Sequence, residues 1–420
     1  MEVNTIKYKQ LDNGLRIVAE EIPYVRSVSL GVWINIGSRM ENNENSGVAH
    51  FIEHMLFKGT EQRTSKKISN DIDYYGGNIN AFTTHDHTCY HVKMPSNHID
   101  RGIDVLSDII INSKFDESEI EKEKLVISEE IKMYQDSPED YVYDELLMRT
   151  FKNKGIGRNI LGTMETVEAM NRKTIVDFFE NYYVANNSVI VISGNFVFED
   201  IVKKIEDGFK SWKSKELTPV REGQSFHMTK FLKDKDDEQA NIAIIYECPD
   251  DKIDKDFYSI KLLGNILGNS PSSRLFQHIR EERGLSYSIY TSDTFYVDYA
   301  EFGIFSSVAS ENLLEVYTLI LKEIEDLKEN YISEEELTFA KEQYKGSVIM
   351  NLEDTEDRMM LIGEYEVVNK RLKEIDEVIK IVESIDMDYM KSIIDKIFKS
   401  DMSIGITGKS VKSIMKKIMK

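Results

Sequence analysis

The order of predicted strands and helices repeats on either side of a short polar segment near the middle of the chain. Residues 213–226, "KSKELTPVREGQSF", lack apolar periodicity and contain a proline and a glycine, a composition typical of a linker. Before it, alternating apolar residues around Asn13-Gly14 predict a hairpin, and residues 187–195 predict a buried strand. After it, a strand is predicted at 240–249, and helices and strands follow in the same succession.

The two halves also resemble each other in one long helix. Residues 115–131, "FDESEIEKEKLVISEEI", align with residues 332–348, "ISEEELTFAKEQYKGSV", at an offset of 332 − 115 = 217. We therefore expect an α+β fold with two homologous domains, each a mostly antiparallel sheet packed with helices. The predicted boundaries are 1–215 for the first domain, 216–228 for the linker and 229–420 for the second domain. Two unrelated α+β domains that share a helix-start signal are the alternative.

Composition excludes several classes of partner. The 420 residues carry a formal net charge of −21, which argues against binding to nucleic acid or anionic membranes and is compatible with basic peptides or simply with an acidic solvated surface. No run of eighteen apolar residues and no N-terminal signal peptide are found, so we expect no membrane insertion. The two cysteines, Cys89 and Cys248, form no disulfide framework, which favours a reducing, cytoplasmic location.

The stretch "SGVAHFIEHMLFKGT", residues 46–60, predicts a helix with an unusual polar face. Ser46 can cap its start, and His50 and His54 are one helical turn apart, so both imidazoles leave the same face. That spacing allows two ring nitrogens to bind one zinc ion. Glu53 lies beside the same face and can reach a water molecule there, an H-x-x-E-H order that inverts the H-E-x-x-H signature. An amphipathic helix with ordinary histidines is the alternative.

A catalytic zinc ion requires a third protein ligand, and a second helix offers carboxylates. In the helix predicted at 116–135, Glu123, Ile127 and Glu130 fall on one face because seven residues make about two turns. Two carboxylates on a partly buried face call for a cation. Glu129 is a rival ligand that points about 100° away.

These segments, "GVAHFIEHMLFKGT" and "EKLVISEEIKMYQDSPED", resemble the pitrilysin/insulinase family of zinc peptidases, and most of all its bacterial two-domain members akin to mitochondrial processing peptidase. The resemblance covers nearly the whole chain. It implies that Glu130, 76 residues after His54 (130 − 54 = 76), is the third zinc ligand, with Glu123 in a supporting role. It further implies peptide-bond hydrolysis with one Zn²⁺ per chain and Glu53 as general base.

The resemblance also implies roles for residues outside the metal site. Asn80, Ala81 and Phe82 match the family's edge strand, to which a peptide substrate adds as a further strand, although an ordinary internal strand is the alternative. Arg280 and Tyr287 match an Arg/Tyr pair that holds the substrate and stabilises the oxyanion.

Arg283 and Tyr290 have the same spacing as that pair and are rivals for its role, although "RGLSY" favours Tyr287. Because such a pair faces the zinc site across an enclosed chamber in the family, a two-domain chain is expected to form a homodimer that cleaves unfolded peptides. The alternatives are a non-catalytic substrate-binding or scaffold subunit of a processing peptidase, and a purely structural zinc site.

A second candidate metal cluster occurs in "HDHTCYH". On one strand, His85, His87, Cys89 and His91 would share a face. Neighbouring side chains on one strand face lie roughly 6.6–6.8 Å apart, so one ion cannot easily bind more than two of them. The H-x-x-E-H site is therefore the preferred interpretation.

Overall fold

A computed structural model describes residues 6–217, 224–249, 254–351, 353–368 and 373–416. Its strands form two sheets. In chain order they are β1 Ile6–Gln10, β2 Arg16–Glu21, β3 Ser27–Ile34, β4 Asn78–Thr83, β5 Thr88–Pro95, β6 Ser188–Gly194, β7 Lys230–Asp234, β8 Gln239–Glu247, β9 Ser286–Phe295, β10 Ala300–Ala309 and β11 Met402–Gly408.

Fifteen α-helices lie in the described part of the chain. They are α1 Val48–Leu56, α2 Ser65–Asp73, α3 Ile99–Ile111, α4 Glu117–Asp136, α5 Pro138–Thr150, α6 Met164–Ala169, α7 Arg172–Tyr182, α8 Phe198–Phe209, α9 Asp254–Leu267, α10 Leu313–Asn330, α11 Glu334–Asn351, α12 Thr355–Val367, α13 Ile375–Glu383, α14 Met387–Phe398 and α15 Val411–Met415. A π-helical turn at Phe276–Glu281 precedes β9.

The two sheets have the same strand order. The first is β1-β2-β6-β3-β5-β4 and the second is β7-β11-β8-β10-β9, so the second repeats the first without β1. Each is antiparallel except at one equivalent pair, β2 with β6 and β7 with β11. The helices α4 and α11 begin 217 residues apart (334 − 117 = 217), the offset found in the sequence. The α+β class with two homologous domains is therefore confirmed.

The compact units of the chain are discontinuous, unlike the contiguous ranges predicted from the sequence. One unit comprises Met1–Ile131, Arg158–Glu222 and Met350–Leu372, and the other comprises Lys132–Gly157, Gly223–Ile349 and Lys373–Lys420. Thus α5 comes from the first half of the chain and packs on β8 and β11 of the second unit. The helix α12 comes from the second half and packs on β3 and β6 of the first unit. Part of the predicted linker, 218–223, lies outside the described residues.

Burial on both faces explains why the central strands are almost wholly apolar. Every residue of β6 is buried, because α1, α3, α7 and α8 contribute to the core on one side and α12 covers the other. Strands covered on both faces are typically continuous apolar runs rather than alternating ones. Under α12, Trp33 packs with Met359 and Ile362, and a hydrogen bond of 3.0 Å joins Thr355 to Ser29.

Most local predictions from the sequence are confirmed. The hairpin at Asn13-Gly14 joins β1 to β2, and Gly14 has a φ of +81°, a conformation that favours glycine. The predicted buried strands at 187–195 and 240–249 correspond to β6 and β8. Within the described residues, no helix is both long enough and apolar enough to cross a bilayer.

The contact between α12 and the first sheet leaves no space for a side chain at Gly363. A substitution at this position therefore tests the packing. A Cβ at this position would lie 2.0 Å from the Trp33 ring, whereas nothing lies within 4 Å of a Cβ at Gly346 on α11. We expect Gly363→Ala to destabilise the protein by about 1–3 kcal/mol through overpacking. The same change at Gly346 should be neutral or stabilise by up to about 1 kcal/mol. Urea denaturation of both variants measures the difference, and equal midpoints would contradict this packing.

Candidate metal centre

The helix that carries the H-x-x-E-H motif is held at its N-terminus by a buried carboxylate. Glu41 accepts hydrogen bonds from the backbone N–H groups of Gly47, at 2.7 Å, and Ala49, at 2.9 Å. These are donors that a helix leaves unpaired at its start. The expectation that Ser46 caps the helix is wrong, since Gly47 occupies the cap position without a side-chain bond. Gly47 has a φ of +90°, and a Cβ there would lie 2.5 Å from the Leu161 carbonyl oxygen, so glycine is required.

Three side chains from two helices converge beside α1. His50 and His54 lie on α1 with ring centroids 4.6 Å apart, and Glu130 approaches them from α4. One Glu130 carboxylate oxygen is 3.8 Å from Nε2 of His50 and 3.5 Å from Nε2 of His54. Among the described residues, this is the one group of three histidine, cysteine, aspartate or glutamate side chains whose potential ligand atoms lie within 4.8 Å of one another.

The donor set matches the requirements of zinc. Two ligands bound at about 2.0–2.2 Å with a tetrahedral angle lie roughly 3.3–3.6 Å apart, close to the separations from Glu130. Burial, and next the neighbouring His54, lower the pKa of His50 to about 3, so its ring is neutral at pH 7. A neutral imidazole is the form that binds a metal ion. The residues present therefore fit a metal ion with two nitrogen ligands and one oxygen ligand.

A second carboxylate on α4 fixes the orientation of His54. Glu123 is 2% exposed and lies 2.8 Å from Nδ1 of His54 and 2.7 Å from Nζ of Lys58. Burial alone would raise the pKa of Glu123, but the hydrogen bonds from His54 and Lys58 outweigh it and leave the pKa below its ordinary value. The Glu123 carboxylate therefore accepts a hydrogen bond from Nδ1 of His54, and this leaves Nε2 of His54 directed towards Glu130.

Glu53 lies on the same helix but outside the group formed by His50, His54 and Glu130. Its carboxylate accepts a hydrogen bond of 2.5 Å from the hydroxyl of Thr83, at the end of β4. Burial raises the pKa of Glu53, although the bond from Thr83 opposes the rise. A carboxylate with a raised pKa beside a candidate metal site is suited to proton transfer.

The residues predicted to bind substrate lie on a sheet edge next to this helix. Asn80, Ala81 and Phe82 belong to β4, the outermost strand of the first sheet, and β4 contacts α1. The side chain of Asn80 accepts a hydrogen bond from the backbone N–H of Ala81. The Phe82 ring packs edge-on against Trp33 at 5.6 Å. The interpretation of this segment as an edge strand is therefore correct, and its binding role stays a prediction.

The structure separates the second candidate metal cluster. His85 and His87 lie in the turn between β4 and β5, whereas Cys89 and His91 lie on β5. The four residues therefore do not share one strand face, contrary to the sequence interpretation. Their contacts also differ: His85 bonds to Ser38, His87 packs on Trp33, and His91 lies 3.0 Å from Glu356.

The residues predicted to assist catalysis from the second domain lie in the second unit. Arg280 lies in the π-helical turn with its guanidinium 4.8 Å from the centre of the Phe276 ring, and Tyr287 on β9 is 75% exposed. The two alternative residues, Arg283 and Tyr290, make hydrogen bonds within the same unit. Tyr290 donates a hydrogen bond to Glu139, and Arg283 donates to the His278 carbonyl oxygen. The preference for Arg280 and Tyr287 is thus consistent with their surroundings, while their roles stay predictions.

Three residues at the site were not identified from the sequence: Glu41, Lys58 and Thr83. Glu41 and Lys58 lie just outside the H-x-x-E-H motif, and Thr83 contacts a residue that is distant in sequence. Lys58 follows His54 by four residues but lies beyond the end of α1 at Leu56, so its nearness to the motif was the one available signal. No local pattern could have paired Thr83 with Glu53, because that contact depends on how β4 lies against α1.

Comparisons with known proteins find similar sequences and a similar fold. A family model described as "Insulinase (Peptidase family M16)" matches residues 16–164, and one described as "Peptidase M16 inactive domain" matches residues 169–344. A Bacillus subtilis protein named as a zinc protease is 36% identical over 96% of this chain and 98% of its own length. A Rickettsia felis protein with a similar name is 34% identical over 95% and 96%, respectively. The crystal structure of a protease from Helicobacter pylori superposes with a TM-score of 0.90 at 22% identity, covering 96% of this chain and all of that one, which shows the shared fold.

Adjacent glutamates on α4 allow a direct test of the ligand set. Glu130 faces the histidines, whereas Glu129 is exposed. We expect Glu130→Gln to lower zinc affinity by at least about a hundredfold, more than is typical for loss of a residue that only supports a ligand. Glu129→Gln is the matched control and should bind zinc like the parent. Competition with a zinc chelator measures both, and equal losses would contradict the assignment.

Proposed function

We propose that this chain, which belongs to the insulinase family of peptidases, family M16, is a zinc-dependent metalloendopeptidase. The observation that supports this most directly is the convergence of His50, His54 and Glu130, with Glu53 beside them on α1. Two imidazole nitrogen donors and one carboxylate form a ligand set found at catalytic zinc sites, and a separate carboxylate is available for proton transfer. A purely structural zinc site would ordinarily be closed by a fourth protein ligand.

In this proposal His50, His54 and Glu130 hold one zinc ion per chain. Zinc held there would act as a Lewis acid that polarises the scissile carbonyl and lowers the pKa of a water molecule. Glu123 keeps the His54 ring in the tautomer and orientation that leave Nε2 free to bind. Lys58 pairs with Glu123 and so balances a charge that is almost wholly buried.

Glu53 is the proposed general base. Its carboxylate accepts a proton from the attacking water and then transfers that proton to the departing amine, which leaves as the carbonyl carbon–nitrogen bond breaks. The burial that raises its pKa brings the carboxyl closer to the range in which it can both accept and release a proton.

The proposed substrates are unfolded peptides. A peptide in extended form can add to the outer edge of β4 at Asn80, Ala81 and Phe82, where backbone hydrogen bonds give affinity with little dependence on sequence. Arg280 and Tyr287 are proposed to hold the substrate backbone and to donate to the oxyanion. The net charge of −21 would favour basic peptides over acidic ones.

The remaining proposals concern organisation. We propose a homodimer in which the second domain of one chain, 229–420, completes the site on the first domain of the other, 1–215, with 216–228 as the linker. One half of the chain carries the zinc motif and the other carries the Arg/Tyr pair, which supports this arrangement. Cys89 and Cys248 are buried cysteines that take part in no disulfide, and this supports a reducing, cytoplasmic compartment.

Replacement of the proposed base separates catalysis from metal binding. Glu53→Gln should keep one zinc ion per chain but lose nearly all turnover of an unstructured fluorogenic peptide, because the amide cannot accept the water proton. Zinc content by elemental analysis and initial rates check the two halves of the expectation. Undiminished turnover would refute Glu53 as the base. Zinc with no turnover in the parent would instead favour a non-catalytic subunit that needs a partner.

Mixing two inactive variants tests whether the Arg/Tyr pair acts on the partner chain. Tyr287→Phe should lower kcat by roughly 10²–10³, as loss of an oxyanion donor does. If Tyr287 serves the partner's zinc site, a mixture of equal amounts of Tyr287→Phe and Glu53→Gln chains should recover about a quarter of parental activity. The reason is that half the dimers are mixed and each holds one intact site. No recovery after subunit exchange would contradict this arrangement.

A further inference from the structure

The carboxylate of Glu53 is tied to the edge strand by a single side chain. The Thr83 hydroxyl donates to Oε2 of Glu53 at 2.5 Å, and Thr83 is the hydrogen-bond partner of that carboxylate among the described residues. We propose that Thr83 is a positioning residue, which fixes the carboxylate of Glu53 for proton transfer and couples it to the strand proposed to bind substrate. This inference rests on the proposed function, because it assigns a role within that reaction.

Thr83 is itself held firmly. It is the last residue of β4 and pairs with Thr88 on β5. The turn that follows is anchored by two backbone hydrogen bonds, since the N–H groups of Ser38 and Arg39 donate to the carbonyl oxygens of Thr84 and His85. Threonine is also branched at Cβ, which restricts its first side-chain torsion. The hydroxyl therefore comes from a rigid position rather than from a mobile loop.

Fixing one carboxylate oxygen has a direct consequence for the other. A glutamate side chain has several rotatable bonds, and holding it in one orientation in advance avoids an entropic cost during the reaction. With Oε2 occupied by Thr83, Oε1 is left to accept the proton from the attacking water. Because the same residue ends β4, a peptide paired along Asn80–Phe82 lies next to the residue that orients the base.

A merely structural role for the hydroxyl would have different effects. If Thr83 only satisfied a buried acceptor, its loss would lower stability, and any loss of turnover would follow the loss of folded, zinc-loaded protein. A positioning role instead lowers kcat at unchanged zinc content. It leaves KM nearly unchanged, because the backbone groups of β4 that would pair with substrate are retained.

The experiment compares four substitutions in the full-length, zinc-loaded protein with an unstructured fluorogenic peptide. Thr83→Val removes the hydroxyl but keeps the branched shape, and we expect kcat to fall roughly tenfold to a hundredfold, as for loss of a hydrogen bond to a charged group. KM should change less than about threefold, and zinc should stay at one per chain. Thr83→Ser keeps the hydroxyl and should retain most of the parental kcat.

Thr88→Val is the matched control. It removes a hydroxyl from the paired position of the same hairpin, where the side chain donates to the Ile36 carbonyl oxygen instead. This variant should lower the unfolding midpoint with kcat within about threefold of the parent. Thr83→Ala supplies a second hydroxyl-free variant, so the comparison stands even if Thr83→Val does not fold.

The inference is overturned if the hydroxyl-free variants retain the parental kcat, or if Thr83→Ser loses as much as they do. It is also overturned if their loss appears wholly in KM. Each of these outcomes requires an active parent and an inactive Glu53→Gln variant, so each leaves the proposed function intact. A parent with zinc but no turnover would instead remove the proposed function and this inference together.

Discussion

The convergence of three donor atoms from two helices, at a largely buried position, is the constraint on which the candidate site depends. Two of the donors come from α1 and are correctly spaced because they are one turn apart, but the third must be delivered by α4. Apolar residues on the same side of α4, Ile120, Ile127 and Ile131, are buried in the first core. Packing of this apolar face therefore sets the distance between Glu130 and the histidines, and the polar contacts refine it.

Electrostatics adds a second requirement. Glu53, Glu123 and Glu130 bring three carboxyl groups to one place, while His50 is neutral and Lys58 supplies a cation. After burial itself, the neighbouring carboxyl groups contribute to raising the pKa of both Glu53 and Glu130. A site of this kind costs stability without a cation, and a divalent ion between the donors offsets the repulsion. Several buried carboxyl groups that repel one another and lower stability are expected at a functional site rather than in a structural core.

The sequence predicted the fold class, the element order and the two histidines of the candidate site, because each depends on local periodicity or on a short motif. The choice of Glu130 as the third donor came from the family resemblance. The sequence placed Glu123 and Glu130 on one helix face, and both approach the histidines of α1. It failed where a contact is made across elements. Ser46 was expected to cap α1, yet Glu41 does so from outside the helix.

Val126 illustrates the same limit on α4. It is an apolar residue next to Ile127 in the sequence, yet it is 49% exposed while Ile127 is buried. The packing of α5 on the second sheet and of α12 on the first could not be predicted from the sequence either, because a helix pattern does not say which sheet the helix covers.

The two sheets share one strand order, although among the described residues the candidate ligand group lies beside the first sheet. Strand order and the single parallel pair are the same in both. At the 217-residue offset, Glu123 and Glu130 correspond to Ala340, which is buried, and Ser347, which bonds to its own helix. Ala340 joins the second core, so the exchange of a carboxylate for a methyl group strengthens packing where no cation has to be held. The fold depends on many apolar positions, whereas the candidate metal centre depends on three donors. A few substitutions can therefore remove the candidate centre from one domain while the fold of that domain is kept.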